Sequence, residues 1–65
     1  MTVTINGERQ TLGNQTVAQL LAALELHERR CATMVNGQIV KRVDRAYRLL
    51  QEGDEVEIIS MVGGG

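Results

Sequence analysis

The 65-residue sequence contains no tryptophan and no phenylalanine, one tyrosine, one histidine and a single cysteine. One cysteine excludes an intramolecular disulfide. With one histidine beside it, no zinc set is available, since a structural site takes about four ligands. The near absence of aromatic side chains removes the stacking platforms that a nucleic-acid surface needs, and the net charge of −1 has the wrong sign for one. No apolar run approaches the roughly 20 residues that span a bilayer. The opening Met1-Thr2-Val3-Thr4 is neither basic nor followed by an apolar segment, so it does not read as a signal peptide. A reduced, cytoplasmic protein is expected. The length allows one domain, and so short a chain buries only about 60% of the surface that it exposes when unfolded. Its core must therefore rest on Val, Ile, Leu and Met alone.

What is present has a clear order. Thr2–Ile5 and Glu8–Leu12 read as strands joined by Asn6-Gly7, the strongest short hairpin signal. Val3 and Ile5 fall on one face, and a two-residue turn brings Leu12 to that side, opposite Met1. After the loop Gly13-Asn14-Gln15, Thr16 and Gln19 have the spacing of a capping box. Val17, Leu20, Leu21 and Leu24 then recur at i, i+3, i+4 and i+7, which predicts a helix with one apolar stripe ending near Leu26-His27. Arg29 and Arg30 follow at the negative end of its dipole. Ala32–Val35 and Gln38–Val40 form a second hairpin around Asn36-Gly37, with Met34 and Ile39 on a shared face. A short helical turn is expected around Asp44–Tyr47. Gln51-Glu52-Gly53-Asp54 makes another turn. The last strand, Glu55–Val62, points Val56 and Ile58 inward and Glu57, Ile59 and Met61 outward. This order predicts an α+β fold, a small mixed sheet with one main helix on one face. Repeats, prolines and low-complexity segments are missing, the terminal glycines excepted.

Charge is uneven. Arg29, Arg30, Lys41, Arg42, Arg45 and Arg48 crowd the middle, while Glu52, Asp54, Glu55 and Glu57 gather later. Two readings stand, ordinary solvated charges or a polar docking rim for a protein partner.

The feature that carries chemistry is the position of Gly63, Gly64 and Gly65 at the end of the chain, directly after a strand. Glycine is the residue whose ordering costs most backbone entropy, so a flexible tail at 63–65 is expected after a domain at 1–62. Without side chains, three to four extended residues reach about 10–14 Å, enough to thread a narrow channel in a partner. A carboxylate is a poor electrophile and must be activated as an acyl adenylate or thioester before it accepts anything. The chain has no Gly-rich phosphate loop with its Lys and Ser/Thr, and no nucleophile–base pair. Catalysis would belong to partners, and the chain would be a carrier. Taken alone, a terminal glycine run is weak evidence and fits an idle end; its placement directly after the last strand of this strand–helix order strengthens the functional reading.

The ending Met61-Val62-Gly63-Gly64-Gly65 resembles the tail of ThiS-type sulfur carriers of thiamine biosynthesis, and the order of elements resembles the ubiquitin-like β-grasp fold. The resemblance covers the whole chain. It rests on Asn6-Gly7, on Gln15-Thr16-Val17 with Leu20-Leu21, on Val35-Asn36-Gly37-Gln38-Ile39-Val40, and on Gly53-Asp54-Glu55-Val56-Glu57-Ile58. It implies that Thr2–Ile5 pairs with Glu55–Ser60 in the middle of the sheet. It further implies an ATP-dependent adenylyltransferase that activates the carboxylate of Gly65 and a persulfide-forming sulfur donor that converts it to a thiocarboxylate. Thiazole synthase would receive the sulfur. Gly63 and Gly64 would thread the tail. No cofactor would be bound, ATP being consumed by the partner, and neither metal, nucleic acid nor membrane enters.

Ile59, Met61 and Val62 are candidate docking residues, an apolar group beside the tail. Cys31 reads as a small buried hydrophobe or, with Arg29 and Arg30 near it in sequence, as a reactive thiol. His27 reads as a helix-end residue and Tyr47 as a packing residue. Three other functions share the tail. One is sulfur carriage for molybdopterin or another pathway, although no aromatic-containing loop of that kind is found. Another is a ubiquitin-like modifier, for which Lys41 is the one lysine. The last is a β-grasp binding module with an idle end.

Overall fold

Asn6 and Gly7 have φ of 49° and 85°, and Asn36 and Gly37 have φ of 53° and 81°. Positive φ at both central residues makes a type I′ turn, whose twist matches that of paired strands. Each Asn-Gly accordingly closes a two-residue hairpin, with Ile5 opposite Glu8 and Val35 opposite Gln38. The computed structural model describes residues 1–26 and 28–60. Among these residues run β1 (Thr2–Ile5), β2 (Glu8–Thr11), α1 (Val17–Ala23), β3 (Cys31–Val35), β4 (Gln38–Ile39) and β5 (Glu55–Ser60). Two 3-10 turns, Glu28–Arg30 and Arg42–Asp44, connect them. The strands form one sheet in the order β2-β1-β5-β3-β4. β5 runs parallel to β1, with Thr4 opposite Glu55, and antiparallel to β3. The first and last strands thus lie side by side in the centre, the mixed α+β arrangement expected of a β-grasp.

Alternation along the strands decides what is buried. Val3 and Ile5 of β1, Cys31 and Val35 of β3, and Val56 and Ile58 of β5 point to one side. There they meet Val17, Leu20 and Leu21 of α1 in a single core that Val40 and Leu50 complete. Full burial of such aliphatic side chains contributes about 1.5–3 kcal/mol each, which is what a small domain with a single cysteine has to draw on. Leu12 joins the edge of this core opposite Met1, each backbone nitrogen donating to the other's carbonyl at 2.7 Å.

α1 is only seven residues long, too short to persist alone, and its start is correspondingly well tied. Thr16 Oγ1 accepts from Gln19 N at 3.2 Å while Gln19 Oε1 accepts from Thr16 N at 2.8 Å, the capping box that the spacing predicts. The next two N–H groups donate outside the helix, Val17 to the Arg48 carbonyl and Ala18 to the Arg45 carbonyl, at 2.9 and 3.0 Å. These bonds dock the 45–48 segment on the helix start.

Several expectations are corrected. The helix ends at Ala23, not near Leu26-His27, because Glu25 turns left-handed at φ 58°. Leu26 N then donates to Leu21 O and Glu25 N to Ala22 O, a Schellman closure that turns Leu26 back onto the core. Leu24, expected in the buried stripe, is left 41% exposed at the cap. Arg29 and Arg30 belong to the separate 3-10 turn and not to the last turn of α1. β3 begins one residue early because Cys31 still pairs with Ser60. The helical turn expected at Asp44–Tyr47 starts earlier, at Arg42. Tyr47, expected to pack, is 84% exposed, since its loop lies against the helix start through backbone groups. Arg45, read with its neighbours as a solvated charge or part of a docking rim, is buried. The strand expected over Glu55–Val62 is described to Ser60; Met61 and Val62, like His27 and the domain boundary at 62/63, lie outside the described residues.

Candidate functional site

The candidate site is the end of β5, from which the sequence runs on to Gly65. Two asparagines fix this strand. Asn36 N donates to the Glu55 carbonyl at 2.8 Å, while its Oδ1 accepts from Glu55 N at 2.9 Å. Farther along, Asn6 N donates to the Val56 carbonyl at 2.9 Å, and its side chain then takes Ile58: Oδ1 accepts from Ile58 N at 2.8 Å and Nδ2 donates to Ile58 O at 3.2 Å. β1 turns away at Asn6, and the side-chain amide supplies the rung that the backbone no longer can. β5 is therefore held on both sides up to Ile58, and on the β3 side up to Ser60 opposite Cys31.

Asp54, just before β5, is buried and well served. Its Oδ1 accepts from Asn36 Nδ2 at 2.9 Å, its Oδ2 accepts from Gln51 N at 2.8 Å, and Arg48 stands 3.6 Å away. The sequence reading placed Asp54 in an acidic run; the structure makes it the post that ties the 51–54 turn to the second hairpin.

The sheet face away from α1 carries an apolar group. Ile59 is 57% exposed and lies opposite Ala32, and Ile39, 72% exposed, lies opposite Met34. Ile59 is thus where a docking residue would be expected. Met34 and Ile39, read only as sharing a face, join it through strand pairing. Met61, Val62, Gly63, Gly64 and Gly65 lie outside the described residues.

Cys31 is only 4% exposed and packs in the core, so the buried-hydrophobe reading holds. Arg45, 5% exposed, donates from Nη2 to the Cys31 carbonyl at 2.7 Å, with Nη1 3.8 Å from the sulfur. Burial of an arginine in a chain with one core was not legible from its neighbours in sequence. Among the described residues no three His, Cys, Asp or Glu side chains are grouped to hold a metal, and no helix is long and apolar enough to cross a membrane.

Comparison with known proteins gives a consistent result. The model of the ThiS family matches residues 3–65. The sulfur carrier protein ThiS of Escherichia coli (strain K12) is 34% identical over 56 residues, covering 86% of this chain and 85% of that protein. A thiazole synthase of Paramagnetospirillum magneticum is 35% identical over 66 residues; the match takes in 100% of this chain but 20% of that longer protein. Among solved structures, the crystal structure of the thiamine biosynthesis protein (ThiS) from Geobacter metallireducens superposes with a TM-score of 0.83 at 29% identity, covering 100% of both chains. Its solution structure gives 0.84, covering 100% of this chain and 88% of that one.

Proposed function

The chain belongs to the ThiS family, and from that premise we propose that it is a sulfur carrier of thiamine biosynthesis whose working group is the Gly65 carboxylate. One observation carries the reading: the family match runs to the last residue, through Gly63, Gly64 and Gly65. The protein acts as a co-substrate of other enzymes and binds no cofactor of its own.

In this reading an ATP-dependent adenylyltransferase binds the carrier over Ile59, Met61 and Val62, with Gly63 and Gly64 threading its channel. The Gly65 carboxylate oxygen attacks the α-phosphorus of ATP and pyrophosphate leaves, giving an acyl adenylate. The terminal sulfur of a persulfide on the donor attacks the acyl carbon and AMP departs. A thiol then cleaves the S–S bond, becoming a disulfide with the donor sulfur, and the carrier keeps a thiocarboxylate. This group is a far better nucleophile than the carboxylate it replaces. Domain and tail divide the work: residues 1–62 are recognised, residues 63–65 are presented.

The similarity to a stretch of a thiazole synthase supports that enzyme as the acceptor of the sulfur. Joining carrier and acceptor in one chain replaces an encounter by an effective concentration in the millimolar range for a short flexible connection. Such a union is useful only where the two act in succession.

The reading is tested by reconstitution with ATP and the adenylating enzyme of the same cell, following pyrophosphate exchange. The intact chain supports exchange, and a variant lacking Gly64 and Gly65 supports none. Equal exchange without those two glycines overturns the assignment of Gly65.

A further inference from the structure

Five of the seven Lys and Arg residues, Arg29, Arg30, Lys41, Arg42 and Arg45, lie on the two segments that border the start of β3. Four of them, all but Arg30, line with Cys31 and Val43 a depression of about 430 Å³. The acids on these two segments are Glu28 and Asp44, against the five bases. Arg45 is fixed there by its bond to the Cys31 carbonyl, while Lys41, Arg42 and Val43 are exposed at the rim. Cys31 is the ladder partner of Ser60. Partners across an antiparallel pair are about 5 Å apart, so the depression adjoins the end of β5, with five residues left to Gly65. The opposite end of β5 is acidic, with Glu55 and Glu57 exposed. A chain of net charge −1 thus turns a positive end towards whatever receives its terminus.

We infer that this depression docks an acidic rim on the adenylating enzyme, beside the channel that takes Gly65; the inference rests on the carrier reading above. The charges fit that occupant better than a small anion. They are spread along two segments around an exposed valine. A carrier must be met, charged and released at every turnover. Long-range attraction raises the rate of encounter, by about 10- to 1,000-fold where fields are focused, without holding the product.

The test measures kcat/KM for adenylation of the full chain against salt concentration, for wild type, the Lys41→Gln/Arg42→Gln pair and the Lys41→Glu/Arg42→Glu pair. Both side chains are exposed, so the unfolding midpoint should not move and serves as the control for folding. At low salt the reversed pair should lose about 10- to 100-fold, mostly through KM, and the neutral pair less. At about 1 M salt, where the screening length is roughly 3 Å, the gap should close. Equal kcat/KM for all three proteins at every salt concentration overturns the inference and leaves the carrier reading standing. So does saturable binding of inorganic phosphate or ATP by the carrier alone that the reversed pair abolishes, which would make the depression a small-anion site. A wild type that is never adenylated overturns both.

Discussion

The side-chain amide of Asn6 pairs with the backbone of Ile58 as a peptide group would, accepting from Ile58 N at 2.8 Å and donating to Ile58 O at 3.2 Å. A turn residue near the start of the chain thereby fixes the strand that leads to its end. Asn6 also holds the left-handed φ of the turn, and the two roles can be separated. Asn6→Gly keeps the turn and removes the amide, and should cost about 1–2 kcal/mol in chemical denaturation. Asn6→Ala adds the strain of a β-carbon at positive φ, about 1 kcal/mol more. A cost near zero for Asn6→Gly would mean that the amide contributes nothing, and equal costs for the two variants that the strain is absent.

Glu25 supplies the left-handed residue of the helix stop where glycine is usual. Glu25→Gly should stabilise the domain by about 1 kcal/mol, raising the melting temperature by roughly 4–8 °C for a domain of this size. A lower melting temperature would show that the Glu25 side chain contributes more than its backbone strain costs.

Asp54 is the acceptor on which Asn36, Gln51 and Arg48 converge. Asp54→Ala leaves these donors without their partner and should cost about 2–4 kcal/mol, with loosening at β4 and the 51–54 turn seen by amide exchange. A cost within experimental error would show that solvent replaces it.

Ile59 is exposed on the sheet face away from α1, so Ile59→Asp should change stability by no more than about 0.5 kcal/mol. Under the docking assignment it should nonetheless raise KM for adenylation. An unchanged KM would remove Ile59 from the partner surface.

The parts of the fold that were legible in the sequence are local. Asn6-Gly7, Asn36-Gly37 and the Thr16–Gln19 box each act within a few residues, and their chemistry admits few alternatives. The alternation of Val3, Ile5, Val56 and Ile58 fixed which sides meet the helix. The rest depends on distant partners. The Asn6–Ile58 pair spans 52 positions, and Arg45 is buried because Cys31, 14 positions away, offers it a carbonyl. The helix stop at Glu25 was hidden because neither glycine nor asparagine marks it. At the candidate site, the outward placement of Ile59 was legible from strand alternation, whereas Met34 and Ile39 reach the same face only through sheet order. The proposal for Gly65 rests on the family match, which runs through that residue.

The most direct test of sulfur carriage is the intact mass of the protein from its native cell, with no tag at the C-terminus, read with and without alkylation of thioacids. The account predicts a fraction heavier by the exchange of one oxygen for sulfur, alkylated under conditions that spare buried Cys31, and mapped by fragmentation to Gly65 and not to a methionine. Only unmodified protein, even after incubation with ATP, a persulfide donor and the cognate adenylating enzyme, would contradict it.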